Sequence, residues 1–248
     1  MTHIKAFLPL LALLLLVACG NKDAIVVEGT LDNGAGKVVY LEDLSPDAII
    51  FLDSVTLDAG GHFRTRIEVP YKTIITLHVT PEDYIVLAPD LGEHITLTGV
   101  HDSLSRSYHL KAGHESQLLW QLQYYFNDGN QRLRQLARQD ADNRARLERG
   151  EFTQKQFDQA HQTTDSIYLD LFGEMQKYVA NFIEDNLGSL VTLIALYKPF
   201  NDRSLIDPDG GFEFYLAVLD GLEATLPDNP HTLSFRNTVE RLRYQYGR

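Results

Sequence analysis

Residues 71–126 read YKTIITLHVTPEDYIVLAPDLGEHITLTGVHDSLSRSYHLKAGHESQLLWQLQYYF, and the hydrophobic period changes inside this stretch. In Tyr71–Thr80, Ile75, Leu77 and Val79 fall on one face, and Thr76, His78 and Thr80 on the other. That period of two marks a half-buried strand, because successive side chains on extended backbone point to opposite sides. From Glu115 onward Leu118, Leu119, Leu122, Tyr125 and Phe126 recur at helical spacing and form one apolar stripe. The switch falls at about residues 111–114. It predicts an α+β chain: an antiparallel β-sandwich or barrel over 24–112, then an all-α domain over 113–248.

The flanking sequence extends both patterns. Ala24–Leu31, Lys37–Leu41, Ile49–Leu57, His62–Val69, Tyr84–Ala88 and Ile95–Val100 are short and rich in β-branched residues. Turn clusters such as Asp32-Asn33-Gly34-Ala35-Gly36 and Asp58-Ala59-Gly60-Gly61 separate them. With Tyr71–Thr80 they make seven or eight short strands, the spacing of an antiparallel sandwich or barrel. On the helical side, Asp128-Gly129-Asn130 predicts a stop, followed by a polar, Arg-rich helix to Arg149 and a break at Gly150. Thr153 and Gln156 have the spacing of a capping box. The next helix carries Tyr168, Leu171, Phe172, Met175, Tyr178, Val179, Phe182 and Ile183 on one stripe and ends at Gly188. Ser189–Tyr197 is nearly all apolar and reads as buried; Phe212–Leu226 and Leu233–Tyr246 are two further amphipathic helices.

Composition bounds the chemistry. The 248 residues carry 22 Lys+Arg against 34 Asp+Glu, a formal charge of −12. That balance argues against nucleic acid as a partner, because phosphate backbones call for a basic face. A single cysteine cannot form an internal disulfide, a CxxC redox pair or a Cys-rich zinc site.

The cysteine's position assigns it another task. Lys5 supplies a short positive region, and Phe7–Ala18 is an apolar run of 12 residues. A spanning helix needs about 20, so residues 1–18 read as a signal peptide. The run ends in Leu16-Val17-Ala18-Cys19, which resembles the bacterial lipobox. That resemblance implies an acylated Cys19 at the mature N-terminus, with residues 19–23 as a tether. Three acyl chains, as the resemblance implies, would anchor firmly to a membrane, since each buried CH₂ contributes about 0.8 kcal/mol. Gly20, rather than Asp, after the cysteine points to the outer membrane, with the protein facing the periplasm or the surface. Removing residues 1–18 takes one Lys and no acid, which moves the formal charge from −12 to −13.

The strand half resembles a family of domains of unknown function in Bacteroidetes-type lipoproteins. The matching residues are Val27-Glu28-Gly29, Val39-Tyr40-Leu41, Leu52-Asp53-Ser54-Val55, Asp58-Ala59-Gly60-Gly61-His62-Phe63 and Thr98-Gly99. In that family the domain precedes a thioredoxin-like, thiol–disulfide oxidoreductase domain. The helical half resembles the family's linker at Gly113-His114-Glu115-Ser116-Gln117-Leu118-Leu119 and at Phe182–Ser189. The thioredoxin-like domain, with its Trp-Cys-x-x-Cys site, would begin about where Tyr246-Gly247-Arg248 stand, so the family's redox chemistry is not expected of these residues.

Other residue groups read as structural. His101, His109 and His114 lack the spacing of a zinc site. Asp202, Asp207, Asp209 and Gly210 supply too few oxygens for a calcium loop. Asp53-Ser54 has no partner histidine motif and reads as a strand–turn bond. Arg132, Arg134, Arg138, Arg144, Arg146 and Arg149 read as a solvated helix face, and Trp120, Tyr124, Tyr125 and Phe126 as core. No catalytic, cofactor or metal residue is assigned, and no cofactor is expected. The reading is a non-catalytic, lipid-anchored binding or scaffold module whose partners are the membrane and a thioredoxin-like protein. The alternatives are a fragment or accessory subunit of a periplasmic thiol–disulfide oxidoreductase, and an uncharacterised hydrolase-type enzyme.

Overall fold

The computed structural model describes residues 23–247. The chain is α+β, with strands first and helices after. The strands are β1 (Ile25–Asp32), β2 (Val38–Leu44), β3 (Ile49–Thr56), β4 (His62–Ile67), β5 (Ile75–Thr80), β6 (Asp83–Leu87) and β7 (His94–Val100). A 3₁₀ turn (His101–Ser103), a short helix α1 (Leu104–Ser107) and strand β8 (His109–Lys111) close this half. Two four-stranded sheets form, in the orders β4-β1-β7-β8 and β3-β2-β5-β6. Their inward residues meet in one core that includes Ile25, Val27, Leu41, Phe63, Leu77, Leu87 and Leu97.

Pairing is antiparallel except at β1 and β7, which run parallel with Val26 opposite His94 and Asp32 opposite Val100. The expectation of wholly antiparallel strands is corrected here. Parallel neighbours need a long crossover, and β2 to β6 supply it. Gly29 sits in β1 between Phe63 on β4 and Leu97 on β7. A Cβ there would lie 2.3 Å from the Leu97 carbonyl oxygen and 3.0 Å from the Phe63 ring, so only glycine fits.

The second correction concerns Asp128-Gly129-Asn130, which does not stop a helix. One helix, α2, runs unbroken from His114 to Glu148 over 35 residues. Gly129 is buried in it, and a Cβ would stand 2.7 Å from Met175 Sδ and 3.3 Å from the Phe200 ring. The glycine marks a close approach of side chains from other elements rather than a break. The cost of glycine in a helix, about 1 kcal/mol, is offset by that packing.

Helix α3 (Gln154–Asp185) returns along α2 after a short loop. Its Thr153 cap accepts from the Gln156 amide while Gln156 reaches back to the Thr153 amide, as the spacing predicts. Then follow α4 (Val191–Tyr197), a two-residue hairpin of β9 (Pro199–Phe200) with β10 (Arg203–Ser204), α5 (Phe212–Thr225) and α6 (Pro230–Tyr246). Helix α6 begins three residues before the expected Leu233, because the Asn229 side chain caps it and Pro230 takes the first helical position. No helix among the described residues is long and apolar enough to cross a membrane.

The helical core extends onto the strands. Ile74 and Ala88 belong to it, with Leu44 and Val86 packed alongside. Polar bonds mark the same seam. The Ala88 amide donates to Ser116 Oγ at 3.1 Å. Asn229 Nδ2 donates to the Lys72 carbonyl at 2.7 Å. The buried Glu115 carboxylate accepts from Ser189 Oγ at 2.5 Å and lies 3.5 Å from Lys72 Nζ.

Two stability changes follow. Gly129→Val should lower the free energy of unfolding by about 1–3 kcal/mol, the usual cost of overpacking, measured by chemical denaturation; an unchanged midpoint would show that Met175 and Phe200 yield freely. Glu115→Ala removes the acceptor of the buried Ser189 hydroxyl and leaves Lys72 with Asp90 alone, and about 1–3 kcal/mol of stability should go with it in the same assay.

Candidate functional site

Where the outer side of the β5–β6 hairpin meets α2, α4 and α6, a cleft of about 610 Å³ opens. Its size lies within the range of small-molecule sites, about 300–1,000 Å³. The floor is apolar and buried: Ile74, Ile85 and Leu193, flanked by Leu44, Val86 and Ile194. Tyr84 and Tyr197 stand at the rim, each about half exposed (48% and 52%), with Glu82 and Ser105 beside them. Three polar side chains enter the apolar lining: Gln123, Lys198 and His231.

Lys198 is placed by local sequence. It caps α4 and precedes Pro199, and the proline ring disfavours helical backbone before it. Its backbone is accordingly extended, at φ −71° and ψ 116°. The helix stops, and the side chain joins the cleft wall. Lys198 Nζ donates to Gln123 Oε1 at 3.1 Å and stands 5.0 Å from the centre of the Phe126 ring. Gln123 is itself oriented, since its Nε2 donates to Asn127 Oδ1 at 2.8 Å. Burial pushes the Lys198 ammonium below the ordinary lysine value, and no carboxylate offsets that shift. Lys198 is half-buried, and its partners are an amide oxygen and a ring face.

His231 lies in the first turn of α6, buried to 7% exposure. Its Nε2 is 3.0 Å from Thr73 Oγ1, and the Thr73 hydroxyl donates to the buried Asp43 at 2.5 Å. A hydroxyl has one proton. With that proton directed at Asp43, the Thr73 oxygen is left to accept, so Nε2 of His231 carries hydrogen and donates to Thr73. Burial holds the His231 pKa below the ordinary imidazole value, with the Asp43 charge opposing.

On the neighbouring strands, His78 stacks on Tyr40 with ring centres 5.2 Å apart. His78 Nε2 lies 3.4 Å from Glu42 Oε2, within ion-pair reach but without hydrogen-bond geometry.

The groups read from sequence are dispersed. Leu16, Val17, Ala18 and Cys19 lie outside the described residues. His101 is buried beside Asp102 at 3.1 Å, while His109 and His114 are exposed. No cluster of three metal-ligating side chains occurs among the described residues. Asp207 Oδ1 accepts from the Asp209 amide at 2.8 Å, the bond of an acidic turn. Asp53 accepts from the Ser54 amide at 2.8 Å and from the Thr65 hydroxyl. The arginines include ion pairs: Arg132 with Glu174 at 2.7 Å and Arg149 with Glu151 at 2.6 Å. The aromatic group splits. Phe126 is buried and Tyr125 stacks on Tyr178, but Tyr124 is 68% exposed.

Lys198, Gln123 and His231 carried no motif. A faint signal existed for Lys198 alone: a charged residue closing an otherwise apolar stretch just before a proline.

No family model matches the chain, and no curated protein matches it.

The buried histidine has a pH signature. Its folded pKa lies below the unfolded value of about 6.5, so the unfolded chain binds the proton more readily. Stability is therefore intact above that value and falls as the pH drops through it. His231→Gln keeps a donor for Thr73 without the titration. Between pH 7 and pH 5 the variant should lose less stability than the wild type; superimposable profiles would remove His231 from the account.

Proposed function

We propose that this chain is a lipid-anchored, non-catalytic binding module of the outer membrane that holds a small ligand in the cleft between its strand and helical halves. The observation that carries this reading is the cleft itself. It is concave and mainly apolar, with three convergent polar side chains, the usual make-up of a ligand site. Its walls come from both halves of the chain, the kind of location where ligand pockets concentrate.

The anchor is read from Leu16-Val17-Ala18-Cys19. A tether of residues 19–23 spans at most about 18 Å when extended, so the folded part would work close to the lipid surface. We read the two sheets as a sandwich, since both direct their apolar residues into one core. In that arrangement the strands act as a rigid support and the helices cover one side of it. The likeness to the strand domain of thioredoxin-associated lipoproteins fits this location and leaves a thioredoxin-like protein as a candidate neighbour.

Membrane fractionation tests the anchor. Cys19→Ala should move the protein from the outer-membrane pellet to the soluble extracytoplasmic fraction. If the variant still sediments with membranes, acylation of Cys19 is not what holds it there.

A further inference from the structure

The composition of the cleft restricts what it can hold. Lys198 brings one ammonium with three donors, and Gln123 accepts from one of them. The lining also carries the aliphatic Leu44, Ile74, Ile85, Val86, Leu193 and Ile194, with Tyr84 and Tyr197 at the rim. His231 is buried and held toward its neutral form, so it adds no second positive charge near neutral pH. Glu82 on the lining opposes any further negative charge. One cation, one opposing carboxylate and aliphatic walls suit a single negative charge on an apolar body. Phosphate and other dianions want a second cation or an Arg fork, and the lining contains no arginine.

We propose that the cleft binds a monocarboxylate with an acyl tail, the carboxylate on Lys198 Nζ and the chain along Leu44, Ile74, Val86, Leu193 and Ile194. The ligand supplies the counter-charge that the protein withholds from Lys198. Asn127 and Gln123 are positioning residues: the Asn127–Gln123 bond turns the amide oxygen toward the ammonium. The carboxylate then takes a donor that Gln123 leaves free.

This inference rests on the cleft being the ligand site, and the experiment separates the two. Full-length protein in phosphatidylcholine nanodiscs is titrated calorimetrically with decanoate, decanol and inorganic phosphate, and empty nanodiscs supply the blank. Decanoate should bind saturably, one per chain, and at least tenfold more tightly than decanol, the difference that a hydrogen bond to a charged group makes. Lys198→Met should abolish that preference while sparing decanol, and Lys198→Arg should retain it. Ile194→Trp, which fills the cleft, should weaken both amphiphiles. If decanoate and decanol bind the wild type equally, the carboxylate assignment is overturned and the cleft stands. Phosphate binding as tight as that of decanoate also overturns it. If neither amphiphile binds, both the assignment and the cleft as their site fall. The wild-type preference for decanoate over decanol needs no substitution, so the test survives a Lys198 variant that fails to fold.

Discussion

The segment 70–74, between β4 and β5, is where the two halves of the molecule are tied. Three of its residues, Lys72, Thr73 and Ile74, reach α2, α6 and the helical core. The Lys72 ammonium sits between Asp90 at 2.7 Å and Glu115 in the first turn of α2 at 3.5 Å. The Lys72 carbonyl accepts from Asn229, whose own Oδ1 caps α6 through the His231 amide at 2.9 Å. Thr73 links Asp43 on β2 to His231 on α6, and Ile74 enters the helical core. Glu115 passes the connection on to Ser189, just before α4. These polar groups are largely buried, so each bond that fails leaves an unsatisfied partner, and this gives the seam one arrangement.

The cleft is a by-product of that tie. It is lined by Leu44, Tyr84, Ile85 and Val86 from the strands and by Gln123, Leu193, Ile194 and His231 from α2, α4 and α6. Lys198 faces that space because a proline ends α4 one residue later. A charge that large would ordinarily be paired within the fold. An amide oxygen and the face of Phe126 satisfy its geometry only in part.

Much of the architecture was legible in advance because it depends on local periodicity. Alternation in Ile75–Thr80 and the stripe from Leu171 to Ile183 each describe one element meeting one buried surface, and both elements formed as read. The alternation was incomplete as a guide to exposure. Thr76, on the polar face, is 7% exposed with an unpartnered hydroxyl. Gly129 misled for a related reason. A glycine in a helix is a break when only its propensity counts and a contact point when Met175 and Phe200 press against it. The cleft was hardly legible at all. Gln123, Lys198 and His231 are separated by 75 and 33 residues in the chain, and no spacing rule links them.

By itself, then, the sequence determined the order of strands and helices, the cap at Thr153 and the acidic charge balance. Each of these is set by neighbours a few residues apart or by composition. Tertiary structure alone decided the parallel pairing of β1 with β7, the unbroken course of α2 and the seam at Lys72 and Thr73. It also brought one unpaired ammonium to an apolar cleft. These features arise when distant segments compete for the same buried volume and the same hydrogen-bond partners, and that competition has no period to read along a chain.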